Sequence, residues 1–510
     1  MYRDASRVME QLLLQQGTRG AKRDAASIAG PGASSRKRAR KQPVAKVGLK
    51  ALALGNNIKN KTKTYAVVCE TLKYRDTLDA VLRGAKLAPS QLARSTGLLY
   101  VMLYDHLFGK GIKGGGAVKR AIIEQDKALR TSLAEIMREK GAKAPEDLLP
   151  AHIRDAPKFP RYARVNEIVA SVASVRATLA GAQDEKSTSR KALTLEQDAH
   201  IPSLLRFPHG TDLHDHTLVN SGKIILQDKA SCLPAEAIRL ACARFRQNGA
   251  IPFDALDATA APGNKTSQLA ANGFRRVFAF DKSSRRLDLL QRRMKQAHAD
   301  GIVTATCQDF LSVEPSDKEL ADVRVILLDP SCSGSGMVGR VDHLLDAAES
   351  DPDAEENDAT QTDRLENLAS FQLECLEHAM SFPQVECISY STCSVHSVEN
   401  EGVVAAALKA HPDFVLTRAL PSWPTRGVAS EGLSAQDAAM LVRADPAKDE
   451  TSGFFVALFL RKNSTLATLD DAEVKRRKKK NLARKRWRKQ ARSTTATVDA
   501  TAETNGTASS

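Results

Sequence analysis

The chain has 510 residues, 42% of them hydrophobic, enough for two to four domains with buried cores. No run of about 18 apolar residues occurs, so no membrane span is expected, and the first residues lack the charged, apolar, small order of a secretory signal. A net charge of +15 speaks to a polyanionic partner rather than to the fold, and the excess sits in two tails.

Taken in chain order, residues 1–54 read as a disordered basic arm. VMEQLLLQQ forms at most a turn or two of helix, and a cluster at Arg36, Lys37, Arg38, Arg40 and Lys41 suits phosphate binding or nuclear import. Residues 55–185 repeat apolar side chains at helical spacing and are punctuated by Gly109, Gly111 and Gly114–Gly116. They predict an α-rich accessory domain, with PRYARVN (Pro160–Asn166) as a short extended segment. Lys110, Lys113, Lys119 and Arg120 could widen a phosphate-binding surface, or simply be solvated.

Residues 186–462 change character. FDALDAT, VFAFD, IVTATC, VRVILLD and ECISYST are short apolar or β-branched runs with helical stretches between several of them, the pattern of a helix-covered parallel sheet. GFFVALFLR (Gly453–Arg461) predicts a late strand suited to an antiparallel edge pair. Residues 346–363 hold eight acidic side chains and no basic one, and predict a disordered surface insertion. Residues 463–510 form a second disordered basic tail; Val474–Arg492 carries twelve Lys or Arg, with Trp487 available for stacking on a base.

The chemistry gathers at strand ends. FDALD runs through a Gly-containing loop, Thr259, Ala260, Ala261, Pro262, Gly263, Asn264 and Lys265, into a helix whose positive end suits a nucleoside cofactor. Asp281 ends the second strand, placed for a ribose hydroxyl, and Asp309 ends the third. Ordinary helix capping by such acids is the plainer alternative. GxGxxG is missing from the first loop, and the GSGMVG at Gly334–Gly339 follows the fourth strand, where it is no dinucleotide fingerprint.

Eight cysteines lack CxxC or zinc spacing, so no metal is expected, and most should be small core residues. Two stand apart: Cys332, after Asp329, Pro330 and Ser331 on the fourth strand, and Cys393, after Thr392 on the fifth. Adjacent strands thus bring two thiols and a carboxylate to one crevice, a setting for thiolate attack on an electron-poor ring.

At these residues the chain resembles the Sun-type (Nol/Nop/Sun) RNA cytosine-5 methyltransferases. DATAAPGNKT, AFD, QDF, DPSCSGSG, STCSVHSVENE and GFFVALF follow that family's motifs in order, with KIILQDKAS (Lys223–Ser231) before them. PRYARVN, APGNKT and LFGKGIKGGG are closer to its member-five branch, which acts on large-subunit ribosomal RNA. Asn264 stands where the wider family has glycine, Ser331 where it has proline, and Thr259 where it commonly has cysteine.

The resemblance implies a fold of the α/β class, a Rossmann-like class I methyltransferase sheet, mostly parallel, preceded by an α-rich RNA-binding domain. It implies S-adenosylmethionine as cofactor, RNA or a pre-ribosomal particle as partner, and a nuclear, nucleolar place of work. Cys393 would attack cytosine C6, Asp329 would steady the ring, and Cys332 would assist release. Thr259–Lys265 would surround the amino acid end of the cofactor, with Asp281, Arg286, Asp309 and Asp329 as further contacts. Three alternatives stay open: a DNA-type enzyme in which Cys332 attacks, an RNA-binding ribosome-assembly factor without activity, and action on tRNA or another RNA.

Overall fold

The computed structural model describes residues 2–26, 49–53, 55, 57–181, 193–338 and 355–466. The basic cluster at Arg36–Lys41, residues 346–354 and the tail from 467, with Trp487, lie outside them. The chain divides into two units, Met1–Ala156 with Gly339–Ala359, and Pro157–Val338 with Thr360–Ser510.

The first unit is helical. α1 (Tyr2–Ala26), α2 (Lys61–Lys73), α3 (Arg75–Gly84), α4 (Thr96–Leu107), α5 (Ala117–Glu124) and α6 (Asp126–Glu139) share one core. The disordered arm expected over 1–54 is corrected at α1. Ala5, Val8, Met9 and Leu12 recur at helical spacing and are buried in that core together with Val68, Leu78, Leu99 and Leu103. Lys110, Lys113 and Arg120 are exposed, whereas Lys119 donates to the carbonyls of Ile112 (3.3 Å) and Gly114 (2.9 Å) and braces the glycine-rich loop.

The second unit begins with a small antiparallel sheet. β1 (Arg161–Val165), β2 (Glu196–Gln197), β3 (Leu204–Phe207) and β4 (Ile224–Leu226) pair in the order β2-β3-β1-β4, and α7 (Val172–Gly181) shares their core. The boundary expected at 185/186 therefore falls inside this sheet. The segment PRYARVN is extended as expected, but it belongs to the sheet rather than to the helical domain.

The large sheet runs β10-β12-β9-β8-β5-β6-β7. Its strands are β5 (Asp254–Asp257), β6 (Val277–Asp281), β7 (Val303–Cys307), β8 (Val323–Leu328), β9 (Cys387–Thr392), β10 (Phe414–Thr417), β11 (Val442–Ala444) and β12 (Phe454–Arg461). β5 to β9 pair in parallel, while β12 is antiparallel to β9, β10 and β11. β12 was expected at an edge; it lies inside, because seven of its eight residues are buried and need cover on both faces.

Alternation along the strands builds two cores. Val277 and Ala279 face one layer with α8 (Lys229–Ala241), α9 (Asn264–Ala271) and α10 (Ser284–Gln296). Phe278 and Phe280 face the other, with α11 (Glu355–Ser381) and α12 (Glu401–Ala410). The expected disorder over 346–363 is corrected from Glu355, where α11 starts. Chain order reverses between β5 and β8, which opens a ligand crevice at their carboxyl ends.

Candidate active site

The loop after β5 is held from several sides. Ala260 N–H donates to the Phe280 carbonyl (2.9 Å), and the Thr266 hydroxyl reaches the buried Asp257 carboxylate (2.7 Å). Burial pushes the Asp257 carboxyl up to about 6, against the opposing pull of Thr266 and Lys265. Gly263 has φ 103°, and a Cβ there would meet Leu290 Cδ1 at 2.7 Å and Met294 Cε at 2.8 Å, so only glycine carries the chain into α9. The first-turn N–H groups of α9 have no intrahelical acceptors, the donor set an anionic or polar cofactor end requires.

Asp281 is buried, and its carboxylate accepts from Ser283 N–H (3.0 Å) and Ala261 N–H (3.3 Å). Arg286 donates to the Ala261 carbonyl and lies 3.3 Å from Asp281, so it ties the loop to the second strand. Asp309 is exposed and caps its own short 3-10 turn through Leu311 N–H (3.2 Å), the capping role the sequence had left open. Asn264 turns its side chain toward Arg293 (3.1 Å).

The end of β8 presents Asp329 between two partners. Lys265 Nζ lies 2.7 Å from one carboxylate oxygen, and the Ser391 hydroxyl donates to the other at 2.7 Å. Burial works against the charge on Lys265, but Asp329, Asp257 and Cys393 outweigh it and raise its proton affinity. The Thr259 hydroxyl donates to the Asp329 carbonyl (2.8 Å), joining the loops after β5 and β8. Sequence reasoning took Lys265 as a cofactor contact and passed over Ser391; strand alternation carries Ser391 to the same end as Cys393, but only the fold reveals the shared partner.

Cys332 and Cys393 meet as the strand order requires, their sulfurs 3.1 Å apart. Neither is in a disulfide and both are half-buried, while Cys69, Cys232, Cys242, Cys375 and Cys387 are buried and Cys307 is exposed. The hydrogen bond to Cys393, then burial, raises the Cys332 thiol far above its ordinary range. Backbone bonds set the spacing: Gly336 N–H donates to the Cys393 carbonyl (2.9 Å) and Gly453 N–H to the Gly336 carbonyl (2.7 Å).

Glu399, fully buried, holds the Cys332 loop. It accepts from Ser333 N–H (2.9 Å), the Ser333 hydroxyl (2.6 Å) and Gln372 Nε2 (2.9 Å), and Gln372 also donates to the Ser331 carbonyl (3.0 Å). Burial opposes the Glu399 charge, yet these donors hold its pKa below the usual carboxylate range. Beside Cys332 opens a cleft of 500 Å³ bounded by Asp363, Arg364, Asn367 and Leu368 of α11. The acidic stretch thus leads into a helix that borders the thiols, a role its composition did not signal.

Comparison with known proteins agrees with this architecture. The family described as 16S rRNA methyltransferase RsmB/F matches residues 247–460. Two domains of NOL1/NOP2/Sun domain family member 5 match as well, the N-terminal domain at 62–149 and the ferredoxin-like domain at 159–227. The 25S rRNA (cytosine-C(5))-methyltransferase NSUN5 of Arabidopsis thaliana is 38% identical over 81% of this chain and 69% of its own length. A 28S rRNA (cytosine-C(5))-methyltransferase of Mus musculus is 37% identical over 81% of this chain and 87% of its own. The crystal structure of PH0851 shares the fold, with a TM-score of 0.53 and 19% identity over 81% of this chain and 97% of that one. From these matches, the chain belongs to the member-five branch of the NOL1/NOP2/Sun domain family of S-adenosylmethionine-dependent methyltransferases.

Proposed function

We propose that this chain methylates carbon 5 of a cytosine in large-subunit ribosomal RNA, with Cys393 as nucleophile. The observation that carries the reading is the meeting of Cys332, Cys393 and Asp329 at the ends of β8 and β9. Relatives named for large-subunit rRNA cytosine-C5 methylation support the substrate. The substrate in the cell is large-subunit ribosomal RNA, by itself or within a pre-ribosomal particle, and the nucleolus is the matching place of action.

Cytosine C5 is a weak nucleophile until a group adds to C6. The Cys393 thiolate adds there; the Lys265 ammonium, whose charge feels Cys393, favours that thiolate. Asp329, held by Lys265 and Ser391, accepts from the exocyclic amine, and the proton released by the Cys393 thiol, carried on its carboxyl group, is donated to N3, where negative charge builds during addition. S-adenosylmethionine, when bound, supplies an electrophilic methyl carbon. Thr259–Lys265, Asp281, Arg286 and Asp309 would hold it: the loop pairs small side chains (Ala260, Ala261, Gly263) with the first-turn N–H groups of α9 and neighbouring carboxylates, a set that fits a cationic nucleoside. Loss of the C5 proton and elimination of Cys393 complete the cycle, with Cys332 assisting release. A base paired in the RNA must leave its stack to reach this cleft.

Cysteine replacement tests the assignment. Cys393→Ala should abolish methyl transfer, and Cys332→Ala should accumulate a covalent protein–RNA adduct on denaturing gels. An adduct formed by Cys393→Ala and not by Cys332→Ala would reverse the roles. Bisulfite sequencing of ribosomal RNA with and without the gene names the cytosine; no lost 5-methylcytosine removes the claim.

A further inference from the structure

Between β4 and the end of α10 lies a second cleft, of 210 Å³, that shares Gly263 and Asn264 with the cofactor loop but no other residue of the chemistry above. Ile225 and Met294 give it an apolar floor, and His214, Asn220, Asn264 and Arg293 line its rim. Arg293 is half-buried and bonds Asn264 Oδ1 (3.1 Å) and the Pro262 carbonyl (3.5 Å); it pairs with no carboxylate among the described residues. Burial alone acts on it, and lowers its proton affinity. A desolvated cation without a counter-charge is costly, and an anionic ligand offsets that cost. α10 continues the positive surface, with Arg285, Arg286, Arg292 and Lys295 exposed against one acid, Asp288. Asn264 directly precedes Lys265, so the cleft wall is adjacent in the chain to the Lys265–Asp329 pair.

We propose that this cleft seats one nucleotide of the RNA strand, its phosphate on Arg293 and its ribose or base on the Ile225–Met294 floor. The proposal rests on RNA as substrate and adds a subsite that orients the strand beside the reaction centre. A neutral or cationic ligand would leave Arg293 uncompensated, and the polar rim supplies the donors that a ribose-phosphate accepts.

The test is filter binding of a large-subunit ribosomal RNA oligonucleotide across a salt series, with S-adenosylmethionine affinity measured by calorimetry. Arg293→Met should weaken RNA binding about three- to tenfold and reduce the slope of log affinity against log salt by about 0.7, the share of one phosphate contact on a single strand. Arg293→Lys should keep the slope. Asn220→Trp, which narrows the cleft at a residue outside the cofactor loop, should weaken RNA binding as well. Cofactor affinity should hold in all three. Unchanged RNA affinity and slope in Arg293→Met and Asn220→Trp overturn the subsite. So does a loss of cofactor affinity with RNA binding intact, because Arg293 would then only brace the loop after β5. A parent protein that neither binds nor methylates the RNA overturns the functional reading, and the subsite with it.

Discussion

Replacing Glu399 should loosen the Cys332 loop from both sides at once. Its carboxylate accepts three hydrogen bonds from Ser333 and Gln372, and Gln372 in turn holds Ser331, so both chain neighbours of Cys332 depend on it. Glu399→Ala removes the shared acceptor of all three, so Ser333 N–H loses this partner, the Ser333 hydroxyl keeps only Ser335 and Ser394, and Gln372 Nε2 keeps only the Ser331 carbonyl. At about 1–3 kcal/mol for each buried unsatisfied group, with partial relaxation, the loss is about 3–5 kcal/mol. Glu399→Gln keeps one acceptor oxygen and should cost about 1–2 kcal/mol. Urea unfolding at neutral pH measures both. The sign with pH follows from the depressed carboxyl: its contribution is full above the ordinary glutamate range and fades as pH falls through the lowered native value, so the two curves converge in acid. Displacing Cys332 should also slow product release, and Glu399→Gln should carry more covalent RNA adduct than the parent. Stability within about 0.5 kcal/mol of the parent in Glu399→Ala, with no change in adduct, would refute the idea that this carboxylate holds the loop.

Gly263→Ala adds a methyl 2.7 Å from Leu290 at a left-handed φ; it should cost about 2–4 kcal/mol and weaken cofactor binding, read by calorimetry. Arg164, fully buried, donates to Gln227 (2.8 Å) and Ser267 (2.7 Å), and burial pulls its pKa down to about 10. Arg164→Met should lower the denaturation midpoint with little change in RNA salt slope, since that cation never meets a phosphate. Glu386 is pushed up by burial but drawn down to about 2 by Ser464, Arg324 and Leu466 N–H. Glu386→Gln should therefore lose stability at neutral pH, and its deficit should shrink as pH falls below the usual glutamate value toward 2, followed by urea melts at several pH values.

The strand ends of the large sheet were legible because each apolar run stops at a polar residue, and the site follows from strand order once Asp329, Cys332 and Cys393 fall on neighbours. The small sheet was not: β2 to β4 have two to four residues each, too short to show a period. α1 was underread because Gly17 and Gly20 and the basic run after them mask the stripe formed by Ala5, Val8, Met9 and Leu12. Composition cannot tell α11 from a disordered insertion, since its acidic start precedes the apolar Leu376, Ala379 and Met380 that anchor it. The continuous apolar run of β12 did carry the signal of an interior strand, and the edge reading overlooked it. Lys265 shows the deeper limit: a motif names the residue, but its bond to Asp329 depends on two strands distant in the chain.

The interior place of β12 has a consequence for biosynthesis. The parallel strands β5 to β9 emerge from the ribosome first, and β9, which ends at the nucleophile, must wait with one flank open until β12 has been translated. An unfinished chain at that stage exposes an apolar β ribbon, the kind of surface that aggregates or recruits chaperones. Premature stops or frameshifts after Thr392 and before Phe454 should therefore give insoluble product rather than a weak enzyme.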